Sequence, residues 1–176
     1  MKLLPISLTE PTLARIRGLR LTALRRPGDL LAEVQPGDRL WVREPFHLTE
    51  QWDHWSPTAA RDRGAVPFYA IDGGEGLGRR RFAREMPREW HRMHLVLTAV
   101  QRCPLQSIGE DEALAEGYAS RAGFAAQWDR ENSPSRSITG DRIRWADNPT
   151  VTWMTFRPVF EPLSNAAFAA RGRAAA

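Results

Sequence analysis

Arg39-Leu40-Trp41-Val42-Arg43-Glu44 sets an indole between two guanidinium groups. The run follows Pro36-Gly37-Asp38, a turn in which Pro fixes φ, Gly admits positive φ and Asp bonds its own backbone. Beyond the turn the pattern has period two, as in a half-buried strand. Leu40 and Val42 point one way, and Arg39, Trp41 and Arg43 the other. Such a face can stack a base and hold its phosphates. It also suits a strand whose Trp packs under a loop while the arginine heads reach water, the commoner setting of an arginine-flanked tryptophan. A second basic cluster is Arg79, Arg80, Arg81, Arg84, Arg88 and Arg92. Pro87 argues against one continuous helix there. The cluster reads as a phosphate-binding loop, or as a solvated surface partly neutralised by Glu85 and Glu89. Trp90 lies beside arginines and is the second stacking candidate, whereas Trp128, Trp145 and Trp153 suit a core. His91 and His94, three apart on a strand, face opposite sides and do not share a metal. The glycine-rich run at 73–78 lacks the Lys-Ser/Thr of a phosphate-binding P-loop. No metal and no cofactor are expected.

The elements that must position these residues are short. Residues 9–18 read as a helix with Thr9 as N-cap and Pro11 in the first turn. Residues 19–30 are a basic loop or short strand, and 38–44 the Trp strand. Residues 45–65 are loop-like, 66–71 a strand, and 73–81 a mobile loop. Residues 92–102 suit a strand buried on both sides. Ser107 or Gly109 caps a helix that runs through Glu116, with Gly117 as its C-cap, and a second helix spans 119–130. Residues 131–148 read as an insertion loop and 150–159 as the last strand. The Ala/Arg-rich tail, 161–176, is expected to fray.

The chain has 176 residues, 42% hydrophobic and 26% charged, which suits one domain over 1–160 with a single core. The net charge is +4, and Lys2 is the only lysine, so no internal residue serves as a Schiff-base lysine. Arginine suits bidentate phosphate contacts and stacking. Cys103 is the only cysteine, which excludes an internal disulfide and a thiolate zinc cluster. No apolar run reaches the ~20 residues of a membrane span, and the opening residues are too short and polar for a secretory signal. A cytoplasmic protein without membrane association is expected.

Pro36-Gly37-Asp38-Arg39-Leu40-Trp41-Val42-Arg43-Glu44 resembles the signature strand of the ASCH domain, a branch of the PUA-like superfamily, in its bacteriophage and prophage version. Other segments follow in the order that family shows. Pro5-Ile6 through Pro11, Ile16 and Arg25-Arg26 resembles the opening helix and basic motif. Met86-Pro87-Arg88 with Arg92 resembles the entry to the next strand. Leu105-Gln106-Ser107-Ile108, then Glu110-Asp111-Glu112-Ala113 and Ala115-Glu116-Gly117, resembles the family's most recognisable helix. Phe124, Trp128-Asp129, Asn148-Pro149 and Phe156 resemble its closing helix and strand.

The resemblance implies an α+β fold: a PUA-like, mostly antiparallel β-barrel of five or six strands with two or three helices. It implies a cleft lined by the basic motif, the Trp strand and the Glu116 helix. There Arg20, Arg25 and Arg26 would hold phosphate, Arg43 and Glu44 would shape the cleft, and Trp41 would stack a base. Arg39, Arg88 and Trp90 join them as nucleic-acid contacts. Glu116 would read a polar base edge, or cap an arginine from the barrel; an exposed helix carboxylate is the plain alternative. In active relatives a Lys and a Thr of the basic motif act with this Glu on the acetyl amide of 4-acetylcytidine. Here an ungapped alignment puts Leu21 and Leu24 at those positions, and alignment on Gly18 puts Arg20 and Ala23 there. Leucine moves no proton, and arginine keeps its own. The expected function is therefore binding of RNA or a modified nucleoside without that chemistry. The alternatives are a hydrolase using Glu116, as amidohydrolase or ribonuclease, and a phage accessory or assembly protein whose partner is another protein.

Overall fold

A computed structural model describes residues 1–27, 31, 33–73, 77–132 and 143–164. The elements run β1 (Leu3–Ser7), α1 (Glu10–Arg17), β2 (Ala23–Pro27), β3 (Arg39–Arg43), β4 (Phe46–His47) and α2 (Pro57–Arg61). There follow β5 (Phe68–Tyr69), β6 (His94–Pro104), α3 (Glu110–Ala115), α4 (Arg121–Asn132) and β7 (Thr150–Val159), with 3-10 turns between. The protein is α+β. Five strands form a sheet in the order β1-β3-β6-β7-β2, and β4 pairs with β5 apart from it. β1 and β3 run parallel, whereas β3–β6 and β2–β7 are antiparallel, so the sheet is mixed. No pairing joins β1 to β2 among the described residues, and the sheet stays open where a closed, mostly antiparallel barrel was expected. A parallel pair needs a crossover connection, and the chain between β1 and β3 supplies one.

The chain divides into two compact units, each built from separate stretches. The first comprises Met1–Arg17, Arg39–Val96 and the chain from Pro158; the second comprises Gly18–Asp38 and Leu97–Arg157.

In the first unit the Trp strand takes its expected form. Leu40 and Val42 are fully buried, and Trp41 lies half-buried on the other face. The parallel register sets Pro5 beside Trp41 and Ser7 beside Arg43, while His94 pairs with Trp41 on the antiparallel side. The stretch read as loop at 45–65 carries structure of its own. Ser56 caps α2 by accepting the Ala59 N–H at 3.2 Å, with Pro57 at the first helical position. Phe46, Leu48, Ala60, Ala65 and Met86 make a small core there, with Trp52, Tyr69 and Trp90 against it. The basic loop is likewise anchored. Arg81 is 1% exposed and donates to the carbonyls of Trp52 (2.9 Å), Trp55 (3.1 Å) and Asp53 (3.4 Å). The strand expected over 66–71 shrinks to Phe68–Tyr69 and gives way to a 3-10 turn. His91 and His94 hold the start of the expected tail: the Leu163 N–H donates to His91 Nε2 at 2.7 Å, and His94 Nδ1 meets the Glu161 carbonyl at 2.9 Å. The remainder of the tail lies outside the described residues, as do 74–76 of the glycine run and 133–142 of the insertion.

In the second unit Gly37 adopts φ +89°, and Asp38 accepts the Gln35 N–H at 2.9 Å, the turn that Pro-Gly-Asp encodes. Leu105, Ile108, Ala113, Phe124, Trp128 and Val151 form the core beneath α3 and α4. Trp128 donates its indole N–H to the Ile143 carbonyl at 2.6 Å. β6 is not buried on both sides along its length: burial is concentrated in His94–Leu97, and the rest of the strand is half-buried to exposed.

Candidate functional site

Two groups of side chains carry the chemistry, one in each unit.

In the second unit the site is built on α3. Gly109 opens this helix, and Glu112 Oε2 accepts the Gly109 N–H at 3.0 Å. Glu116 closes it, and Gly117 follows at φ +77°, the left-handed conformation that ends helices. Residues four apart share a helix face, so Glu112 and Glu116 point together. They meet Arg25 from β2. Arg25 Nη1 donates to Glu116 Oε1, and Nη2 donates to Glu112 Oε2 at 2.8 Å. Arg25 and Glu116 are each 2% exposed. The Thr22 N–H, bonded to the Ala115 carbonyl at 3.2 Å, ties the approach to β2 onto the end of α3. β7 supplies the other wall: Trp153 pairs with Arg25 in register, and the guanidinium lies 6.0 Å from the ring centroids of Trp153 and of Phe124. Arg25 Nε, Trp153 Nε1 and Thr152 Oγ1 are buried without a hydrogen-bond partner among the described residues.

Burial pushes the Glu116 carboxyl up to about 7, against the opposing pull of the Arg25 charge. Desolvation holds the half-buried Arg26 guanidinium below the ordinary arginine value. Arg25, expected to hold phosphate, donates to two carboxylates, and Glu116 takes the arginine-cap arrangement of the two expected for it. Leu21 and Leu24, at the aligned Lys and Thr positions, are both buried. Arg20 is exposed. Glu112 was not singled out from the sequence, although its spacing from Glu116 was the available signal.

In the first unit the Trp strand presents Trp41 and Arg43. The Arg43 guanidinium lies 5.6 Å from the Trp41 ring centroid, and the His91 ring packs on the same indole at 5.8 Å. Arg43 Nη1 donates to the Arg84 carbonyl at 3.2 Å, while its Nε is buried without an acceptor among the described residues. Desolvation lowers the pKa of this guanidinium. Ser7, beside Arg43 in the register, also has a buried hydroxyl without a partner among the described residues. Arg39 is half-buried on the same face.

Glu44, by contrast, is an anchor. It is buried and takes a bidentate pair from Arg92, with Nε at 2.9 Å and Nη2 at 2.8 Å. Arg92 also pairs with Asp72, which Arg17 reaches at 2.8 Å, and it lies 3.7 Å from the Tyr69 ring centroid. Hydrogen bonding from Arg92 holds Asp72 below the usual carboxylate range, and burial pushes the Tyr69 phenol up to about 12. Trp90, expected to stack a base, packs edge-on against Phe46 at 5.5 Å between ring centroids and belongs to that small core. Arg88 is exposed and pairs with Glu89 at 3.3 Å. Among the described residues no three His, Cys, Asp or Glu side chains are grouped to hold a metal, and no helix is long and apolar enough to cross a membrane.

No family model, curated protein or solved structure matches the chain. The likeness to ASCH domains therefore stands on the segments quoted above.

Proposed function

We propose that the protein is an ASCH-type module of the PUA-like superfamily that binds RNA or a modified nucleoside and does not hydrolyse it. The observation that carries this reading is the Arg43–Trp41 pair. A partly desolvated guanidinium beside a half-buried indole suits a stacked base with an adjacent phosphate or carbonyl. The other unit supports the non-hydrolytic half of this reading. Glu116 is committed to Arg25, and the aligned positions for a proton-shuttling pair hold buried leucines. Loss of a general acid or base costs about 10²–10⁴-fold in rate.

The test uses the purified full chain, titrated against a labelled single-stranded RNA and assayed on 4-acetylcytidine. Binding that Trp41→Ala weakens in a folded variant, with turnover at background, is the expected result. Robust deacetylation abolished by Glu116→Gln would restore the hydrolase reading. A folded chain that binds no RNA in low salt would favour a protein partner.

A further inference from the structure

A pocket of about 290 Å³ opens in the first unit, lined by Ser7, Leu8, Thr9, Pro45, Arg80, Phe82, Ala83 and Arg84. Its size falls just under the range for small-ligand sites, about 300–1,000 Å³. Leu8, Pro45 and Ala83 give it an apolar surface. Phe82 is 57% exposed, an unusual setting for a large aromatic ring. Its backbone is fixed, because the Phe82 N–H donates to Glu85 Oε2 at 2.8 Å.

Charge accompanies the ring. The exposed Arg84 guanidinium lies 4.9 Å from the Phe82 centroid and has no carboxylate partner among the described residues. Arg80 reaches Glu10 through an exposed ion pair, a kind worth at most about 1 kcal/mol and readily exchanged for a better anion. The Arg84 carbonyl takes the Arg43 Nη1 donor, and Ser7 lies beside Arg43 in the register. The pocket therefore adjoins the Trp41–Arg43 face within the same unit.

We propose that this pocket holds one nucleotide unit, its base against Phe82 and its phosphate on Arg84 and Arg80. The inference rests on the nucleic-acid reading above and gives it a binding site. A base offers a π-face to Phe82, and a phosphate offers acceptors to two guanidinium groups, which a neutral apolar ligand would leave unused. The same chemistry is present in a free nucleoside monophosphate and in one residue of a single strand.

The full chain is titrated with adenosine, adenosine 5′-monophosphate and a labelled single-stranded oligoadenylate, in wild type and in the variants Phe82→Ala and Arg84→Glu. Both side chains are exposed, and thermal melts confirm folding. Phe82→Ala is expected to weaken all three probes about tenfold or more. Arg84→Glu is expected to weaken the two phosphate-bearing probes by about tenfold and to leave adenosine within about twofold. An oligoadenylate bound far more tightly than the monophosphate identifies the source as a single strand, and equal affinities identify a free nucleotide. Oligoadenylate binding that both folded variants leave unchanged, yet Trp41→Ala abolishes, overturns the pocket while sparing the nucleic-acid reading. A folded wild type that binds none of the probes overturns both.

Discussion

Arg25 and Glu116 realise one of two open readings: Glu116, read as a base-edge reader or an arginine cap, caps Arg25. Both stand where the resemblance puts functional groups, and they do meet, but they meet as a buried ion pair sealed by Glu112, Phe124 and Trp153. Removing one partner of such a pair leaves the other charge buried. Glu112 stays on Arg25, so Glu116→Ala should cost up to about 3–5 kcal/mol in a denaturant titration. Glu116→Gln keeps a carbonyl for Arg25 and should cost less. The pair also carries a pH signature. Glu116 titrates at about 7 in the folded chain, against 4.5 for an ordinary Glu. Between those values the folded state retains a proton that the unfolded state has released. The stability this contributes is complete below about pH 4.5 and is lost as pH rises through about 7. The stability difference between wild type and Glu116→Gln should thus fall across that window, with the other titrating groups cancelling. A difference that is flat or rises with pH would show that Glu116 is ionised throughout.

At the scale of elements, turn chemistry and capping decide where each functional strand begins. Gly37 holds φ +89° ahead of the Trp strand, and a Cβ there would meet nothing within 4 Å. Gly37→Ala should accordingly cost only the conformational penalty of a left-handed residue, about 1–2 kcal/mol, with an unchanged denaturant m-value. A larger loss, or a changed m-value, would mean that the strand register itself had moved. This turn, β3, the N-cap of α3 and the span of β7 were legible because local signals and tertiary packing agree there, while the C-cap falls on Glu116, one residue before Gly117. The stretch 45–65 was not, because its elements are only two to five residues long and take their stability from a core assembled out of distant residues such as Met86 and Trp90. The basic cluster was legible as charge but not as structure. Arg81 and Arg92 are consumed by backbone carbonyls and carboxylates, whereas Arg84 stays unpaired among the described residues, and nothing local in the sequence separates them. Phe82 carried no sequence signal at all; only its exposure beside Arg84 marks it.

For the molecule as a whole, the proposed nucleic-acid binding would give the arginine excess two ends to serve, and salt separates them. Guanidinium groups locked into carboxylates, such as Arg25 and Arg92, neutralise charge inside the fold and contribute nothing to a phosphate ligand. In the first unit the exposed Arg80 and Arg84, with Arg43 partly buried beside Trp41, are among those placed to meet a strand. Each phosphate contact displaces condensed counterions, so RNA affinity should fall with salt at a log–log slope of about −0.7 per contact on single strands. Three contacts give a slope of roughly −2. Arg84→Ala should make the slope shallower by roughly 0.7 and weaken all sequences alike. Trp41→Ala should cost roughly 1–3 kcal/mol with little change in slope, because stacking releases no ions. Arg25→Ala distinguishes the two populations: it should lower the melting temperature and leave the salt slope where it was. If Arg25→Ala instead flattened the slope in a chain that still folds, Arg25 would be a phosphate ligand after all, and its pairing with Glu116 would have to open when RNA binds.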